Sequence, residues 1–202
     1  MPSLARFLTA LLALAGLLLG LAAHAGPPPP PSADAVLAAM LSLPQYTGDR
    51  IVDPPAERAR LYRPVAEAIA QVARSRADAA ALIALGYAET AFARYVLDGH
   101  CYQGPAGARC DGGRARGAWQ VWSWCRALWA GPENAPDRHV AGARCALQRL
   151  RAGRTACPAQ GYAGMLSHYG RGHCTWGPAK ARAATMALVE GRLRAYRAPP
   201  PD

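Results

Sequence analysis

The sequence predicts a mostly α-helical domain that contains one small insert, either a loop or a β-hairpin. Several segments repeat apolar residues at the spacing of a helix, and a proline or a capping residue precedes most of them. The stretch 98–117 breaks this pattern, because it is rich in glycine and charge and has no helical spacing. These features favour helices on both sides of one irregular insert.

The helices before the insert are predicted from their apolar spacing and from their first residues. Residues 33–43 form a short apolar helix candidate, and Asp53 followed by two prolines is typical of a helix start. Apolar residues then keep helical spacing over 61–72. Pro64 interrupts that run and is expected to kink the helix or to restart it.

A further helix is predicted to begin at the capping-box-like Ser75 and to end near Glu89. Leu82, Leu85, Gly86 and Glu89 recur at helical spacing, so they share the face that is expected to be buried. Removing an ionised carboxylate from water is costly, so the pKa of Glu89 is expected to rise unless the group is paired. A raised pKa suits a general acid near neutral pH. The alternative is that Glu89 ends the helix and faces solvent.

Helices resume after the insert. Residues 123–130 form a short tryptophan-rich helix, and Asp137 is expected to cap a helix that ends before Gly153. Another apolar stripe covers 162–169, and Pro178 is expected to start a final helix with its apolar residues on one side. These stripes predict core positions.

The N-terminus is typical of a secretory signal peptide. Arg6 precedes an apolar run that is short for a membrane-spanning helix, and residues 23–25 form an Ala-x-Ala cleavage site. A membrane anchor is the alternative. We expect a signal peptide over 1–25, a Pro-rich spacer and short helix over 26–45, one domain over 46–197 and a Pro-rich tail over 198–202. The protein is therefore predicted to be secreted or periplasmic, with no stable membrane insertion after signal removal.

All six cysteines follow the predicted signal peptide, at Cys101, Cys110, Cys125, Cys145, Cys157 and Cys174. An even count in an exported protein predicts three disulfides, although many pairings are possible. Cys101–Cys110 is the most local pair and would close the insert, and we favour Cys125–Cys145 and Cys157–Cys174 for the others. A zinc site is the alternative, but no C-x-x-C or H-E-x-x-H spacing occurs, so we expect no metal.

The chain is strongly basic, with a formal net charge of +10 at pH 7. Almost all of the positive charge comes from arginine, since Lys180 is the only lysine. A basic surface attracts polyanions through long-range, salt-sensitive forces. For an exported protein these include cell-wall polymers and anionic lipid. No nucleic-acid-binding module is visible in the sequence, so nucleic acid is not an expected partner.

Three short motifs follow one another: Glu-Thr-Ala-Phe at 89–92, Gly-Ala-Trp-Gln-Val at 117–121 and Tyr-Gly-Arg-Gly at 169–172. In this order they resemble the lysozyme-like superfamily, closest to its soluble lytic transglycosylase and goose-type lysozyme branch. The resemblance covers roughly residues 60–195. It implies a two-lobed fold whose cleft binds peptidoglycan glycan strands. It also implies that Glu89 gives a proton to the glycosidic oxygen, with no metal or organic cofactor.

The resemblance further implies which residues contact the glycan. Gln120 and Tyr169 are expected to line the cleft near the bond that is cleaved, and Gly117 to let backbone approach the ligand. Thr90 follows the acid where transglycosylases commonly carry serine. Asp111 lies in a turn that is expected to face the cleft. A glycine follows Tyr169 where the family usually has asparagine, so a side-chain amide contact is missing.

The motifs favour an enzyme that cleaves the MurNAc–GlcNAc bond with Glu89 as its single general acid/base. A lytic transglycosylase needs no second carboxylate, because the 6-hydroxyl of the sugar closes onto the anomeric carbon. An inverting muramidase would need Asp111 or Asp98 to position water. A chitin-cleaving relative and a non-catalytic cell-wall-binding module are further alternatives. A Cys/His peptidase is disfavoured, because all six cysteines are expected to pair.

Overall fold

The computed structural model describes residues 29–45, 52–99, 114–130, 135 and 137–198. Within these ranges the chain forms eight α-helices, one short 3-10 helix and no β-strand. The α-helices are α1 (Ala33–Leu41), α2 (Pro55–Val72), α3 (Arg76–Thr90), α4 (Arg94–Leu97), α5 (Arg126–Trp129), α6 (Arg138–Ala156), α7 (Gly161–Arg171) and α8 (Gly177–Ala195). The prediction of a mostly α chain is confirmed for the residues that the structure describes. The predicted signal peptide and most of the predicted insert lie outside the described residues.

The short first helix belongs to the same core as the longer ones. α1 packs against α2 and α8, and Val36 and Met40 are fully buried. Arg58 of α2 donates a 2.5 Å hydrogen bond to the Leu43 carbonyl just beyond the end of α1. This helix was expected to belong with the Pro-rich spacer, whereas its side chains fill the core of the helical unit. None of the described helices combines the length and apolarity needed to cross a membrane.

Two sequence-based details of α2 are corrected. Asp53 does not cap the helix, because its buried carboxylate instead pairs with Arg94 at 2.5 Å and accepts a bond from Gln45. Pro64 does not restart the helix, which is continuous from Pro55 to Val72. Pro64 lies on the exposed face, so water can satisfy the carbonyl group that loses its helical partner while the opposite face stays packed.

α3 lies at the centre of the core, and every residue over 79–86 is buried. The side chain of Ser75 accepts a bond from the Asp78 backbone N–H at 3.1 Å, as predicted. The Asp78 carboxylate accepts a 3.0 Å hydrogen bond from the backbone N–H of Arg74, the residue before the cap. In the usual capping box, this bond comes from the backbone N–H of the capping residue itself. The helix ends at Thr90, and the residue that caps it, Ala91, has a left-handed φ of 47°.

The indole of Trp119 lies between two glycines on two helices. A Cβ on Gly142 of α6 would come within 3.2 Å of the indole, and a Cβ on Gly86 of α3 within 3.3 Å of its Nε1. Gly86 also faces Phe92, whose ring would be only 2.6 Å from that Cβ. The indole Nε1–H donates to the Leu82 carbonyl at 2.9 Å. The segment that carries Trp119 is therefore fixed to both α3 and α6.

α6 continues through Gly153, which was predicted to follow its end. A Cβ at this position would lie 2.8 Å from the Met165 carbonyl oxygen, so Gly153 lets α7 pack closely against α6. The prediction was wrong because tertiary contact, rather than helix termination, requires the glycine. Asp137 precedes the helix as predicted, but its side chain makes no capping bond. The short helix predicted over 123–130 is confined to α5.

Two disulfides join the helices in the described ranges, with the pairing favoured from the sequence. Cys125–Cys145 connects the segment before α5 to α6, and Cys157–Cys174 connects the end of α6 to the segment before α8. The expected Cys101–Cys110 bridge lies outside the described residues. The two described bridges hold the segment before α5 and the segment between α7 and α8. Both segments contribute to the cleft described below.

His139, in the first turn of α6, predicts a loss of stability in mild acid. Burial, with a smaller contribution from Arg138, lowers the pKa of His139 from 6.5 to about 4. Between these values the unfolded chain holds a proton that the folded chain excludes, so stability falls as the pH drops. We expect about 2 kcal/mol to be lost between about pH 8 and about pH 5, as measured by urea unfolding. His139→Gln should lack this dependence. An unchanged dependence in that variant would contradict the assignment.

Candidate functional site

Side chains from all three motifs line one cleft of about 520 Å³. Glu89 comes from the end of α3, Gln120 from the turn before α5, and Tyr169 from α7. The other described lining residues are three tryptophans, three arginines and a glycine: Trp122, Trp124, Trp176, Arg149, Arg171, Arg182 and Gly170. The cleft is therefore rich in aromatic faces and positive charge around a single described acid.

Glu89 lies in the last turn of α3, at the border between the core and the cleft, with 20% of its side chain exposed. Arg182 of α8 donates a 2.6 Å bond from Nη1 to Glu89 Oε1, and its own side chain is only 13% exposed. The carboxylate on the buried face is therefore paired. A neighbouring guanidinium favours the ionised form of a carboxyl group. Release of this pair would be needed before Glu89 could act as an acid.

Gln120 is held in a tight turn. Arg116 and Val121 form an antiparallel bridge through two 2.9 Å hydrogen bonds, and the four residues between them make the turn. Gln120 has a left-handed φ of 45°, and both its backbone N–H and its Nε2 donate to the Gly117 carbonyl, at 3.0 and 3.1 Å. A non-glycine residue held in this conformation is typical of functional positions. Gly117 itself supplies a φ of 66° and does not line the cleft.

Thr90, which was expected to contact substrate, does not line the cleft. Its hydroxyl lies 3.0 Å from both the Gly86 and the Ala118 carbonyl oxygens, and it accepts a bond from the Phe92 backbone N–H at 3.2 Å. The bond to Ala118 connects the end of α3 to the turn that carries Gln120. Thr90 therefore fixes the position of the turn relative to Glu89.

The Tyr169 hydroxyl also binds the turn. It donates a 2.8 Å bond to the Trp119 carbonyl, rather than to Glu89 or to the open cleft. Burial, followed by the nearby negative charge of Glu89, raises the pKa of Tyr169. The phenol is therefore neutral at physiological pH and acts as a hydrogen-bond donor. The ring lines the cleft, while the hydroxyl holds the turn against α7.

The glycine after Tyr169 makes room for two residues that the sequence analysis missed. A Cβ on Gly170 would lie 3.2 Å from the Trp176 ring and 3.8 Å from Arg182 Nη1. The guanidinium of Arg182 lies 4.5 Å from the centre of the Trp176 ring, and that of Arg171 lies 5.5 Å from it. An indole and a guanidinium thus lie beside the position where the resembled family carries an asparagine. The missing side chain of Gly170 was the only sequence signal of this arrangement.

A second aromatic group follows the turn. Trp122 and Trp124 are 43% and 45% exposed. Only Trp124 fell within the short helix predicted over 123–130, and neither residue was given a role at the site. The Arg149 guanidinium, on α6, lies 5.6 Å from the centre of the Trp124 ring. The Cys125–Cys145 bridge connects this segment directly to α6. Exposed indoles in a cleft are suited to stacking on a ligand.

Glu89 is the only acid among the described residues that line the cleft. Asp98 caps the end of α4, is exposed and does not line the cleft, while Asp111 lies outside the described residues. Asp98 is therefore not placed to position water beside Glu89. In the described ranges, no three His, Cys, Asp or Glu side chains are grouped so that they could hold a metal ion.

The side chains of the cleft suit a carbohydrate. A carboxyl group can exchange a proton, a carboxamide can bond to hydroxyl and acetamido groups, and indole faces can stack on sugar rings. Comparisons of the chain with family models, with curated proteins and with solved structures found no match. The function is therefore proposed from these side chains and their geometry.

Proposed function

We propose that this protein is an exported enzyme that cleaves the MurNAc–GlcNAc bond of peptidoglycan strands, with Glu89 as the general acid/base. One observation carries the proposal: residues from three motifs, far apart in the sequence, line the same cleft. The lysozyme-like two-lobed fold, the secreted or periplasmic location and the glycan partner are parts of the same proposal. The exposed indoles and the Gln120 carboxamide support a sugar ligand.

A single carboxyl group can complete the reaction if it acts twice. Protonated Glu89 gives its proton to the glycosidic oxygen as the bond from that oxygen to the anomeric carbon breaks. The resulting carboxylate then takes the proton of the 6-hydroxyl of the same sugar, whose oxygen bonds to the anomeric carbon. The products are a shortened strand and a 1,6-anhydro end, and Glu89 regains its proton. This route fits a described lining in which Glu89 is the only acid.

In this proposal, Arg182 must move away from Glu89 before the reaction can begin. Glu89 cannot donate a proton while it is held as a carboxylate by a guanidinium 2.6 Å away. Arg182 also contacts the Trp176 ring, so a sugar that stacks on this indole competes for the same face. In this proposal, sugar binding displaces Arg182, and Glu89 is left in a cleft from which the ligand has excluded water. Loss of the cation and of water both favour the protonated form.

The same ion pair favours a second candidate, a non-catalytic wall-binding module. An acid neutralised by Arg182 could serve only to join α3 to α8, two helices that pack closely along their lengths. The indoles and arginines of the cleft would then bind glycan without cleaving it. The two candidates differ in one measurable respect, because only the enzyme releases soluble fragments from the wall.

Mass spectrometry of the fragments released from purified peptidoglycan tests the proposal. We expect fragments with 1,6-anhydro ends and no new reducing ends. Asp111→Asn should be tolerated, because the intramolecular route needs no second carboxylate. Reducing ends that disappear in Asp111→Asn would show an inverting muramidase instead. Retained binding to the wall with no released fragments would establish the binding module.

A further inference from the structure

We infer that the cleft selects glycans whose sugars carry carboxylate groups, and that Arg149 and Arg171 bind those carboxylates. The inference rests on the proposed function, because it names the charged group of the glycan that the cleft would hold. It is supported by two arginine–tryptophan pairs and by the balance of charge in the described lining.

The two pairs come from different elements and face one cleft. The Arg149 guanidinium on α6 lies 5.6 Å from the centre of the Trp124 ring, which precedes α5. The Arg171 guanidinium at the end of α7 lies 5.5 Å from the centre of the Trp176 ring, which precedes α8. An indole face stacks on a sugar ring, while a guanidinium binds a carboxylate through two parallel hydrogen bonds. Each pair therefore offers both contacts that an acidic sugar requires, and at Trp176 the sugar takes the face that Arg182 covers in the free protein.

The charge of the described lining points to the same ligand. Three arginines face one glutamate in this lining, and Glu89 pairs with Arg182. Neither Arg149 nor Arg171 forms a salt bridge with any described residue. Arg149 is half-buried, so its charge is only partly solvated. Arg171 is exposed, so an anionic ligand would supply a counter-charge to both groups, with less screening by water at Arg149 than at Arg171.

Two other ligand classes fit less well. A neutral glycan such as chitin would use the indole faces but would leave both guanidinium groups without a partner. A nucleic acid would offer bases and phosphates, but the sequence contains no visible nucleic-acid-binding module. Peptidoglycan carries carboxylates in two places: on the lactyl group where the peptide has been removed, and on the peptide itself. Both present the same chemistry to the two arginines.

The test measures binding to the full-length Glu89→Gln protein, which should not consume the glycan. The probes are amidase-treated strands with free lactyl carboxylates, the same strands with those carboxylates coupled to ethanolamine, intact peptide-bearing strands, and chitin oligosaccharides. Adding Arg149→Gln and Arg171→Gln should weaken the binding of carboxylated strands by about 10- to 100-fold. Binding of the chitin and of the neutralised strands should stay unchanged. A larger loss for amidase-treated strands would identify the lactyl group as the source of the carboxylate. A larger loss for peptide-bearing strands would identify the peptide.

Matched variants separate recognition from general charge and from misfolding. Arg144→Gln removes an exposed arginine from the same helix as Arg149, outside the cleft, and should have little effect. Arg149→Lys keeps the charge but loses the paired hydrogen bonds, so it should restore only part of the affinity. The inference would be overturned if the arginine variants lost as much affinity for chitin as for carboxylated strands. It would also be overturned if the protein that keeps both arginines bound neutralised and native strands equally well. Tighter binding of a single-stranded oligonucleotide than of carboxylated strands would also overturn it.

Cleavage is measured separately, in the protein that retains Glu89. If no fragments appear but the carboxylate dependence holds, the enzymatic proposal fails and the carboxylate site stands within a binding module. If fragments appear and the two arginine variants bind carboxylated strands normally, the enzyme stands and the carboxylate site is wrong.

Discussion

Glu89→Gln is expected to lower the rate of glycan cleavage by at least about 10²-fold, because general acid catalysis typically contributes 10²–10⁴-fold. Glutamine keeps the shape of the side chain and can still accept a hydrogen bond from Arg182, so the cleft should retain its geometry. It has no acidic proton to give to the glycosidic oxygen. The release of soluble fragments from peptidoglycan measures the rate, and co-sedimentation with the insoluble wall measures binding, which should persist.

Glu67→Gln is the matched control for this variant. Glu67 is exposed on α2 and does not line the cleft, so the substitution removes the same charge without touching the proposed chemistry. Its rate should equal that of the unmodified protein. Full activity in Glu89→Gln would remove the catalytic proposal and leave the wall-binding module as the better account of the cleft.

Trp119→Ala is expected to destabilise the fold by about 3–5 kcal/mol, the usual cost of removing a large buried aromatic side chain. The indole is 1% exposed, packs against glycines on α3 and α6, and donates to the Leu82 carbonyl. Its loss would leave a cavity between the two helices. Urea unfolding with the disulfides intact measures the change in free energy.

Trp122→Ala separates stability from function within the same segment. Trp122 is 43% exposed in the cleft, so its removal should cost at most about 0.5 kcal/mol of stability, as is usual for surface positions. In our proposal it should weaken glycan binding instead. The structural role of Trp119 would be contradicted if its replacement by alanine cost no more than that of Trp122.

The features that the sequence predicted well depend on neighbouring residues. Helical spacing is a local property, so most helices were found, and the Ser75 cap depends only on residues within one turn. The predictions that were wrong concern residues whose roles are set by distant contacts. Asp53 pairs with Arg94, and Gly153 makes room for α7. A capping aspartate and a helix-ending glycine look the same in sequence as these two residues.

The candidate site divides in the same way. Glu89 could be found because its position on a helical face and its motif are both local. Arg182 could not, because it is one of many arginines and its contact with Glu89 spans 93 residues. That contact depends on how α8 packs against α3, for which the sequence has no short-range signal. The role of Thr90 was also hidden, since its partner Ala118 belongs to a turn that follows the insert.

The placement of the Trp119 indole between Gly86 and Gly142 has a consequence for how this sequence can vary over evolutionary time. Each glycine costs its helix roughly 1 kcal/mol relative to alanine, and the contact with the indole is a reason to keep it. A lineage that replaced Trp119 with a smaller residue would ease the constraint on Gly142 fully and on Gly86 in part, because Phe92 still crowds Gly86. Selection is therefore expected to act on Trp119 and Gly142 as one inherited unit, with Gly86 more weakly coupled to them.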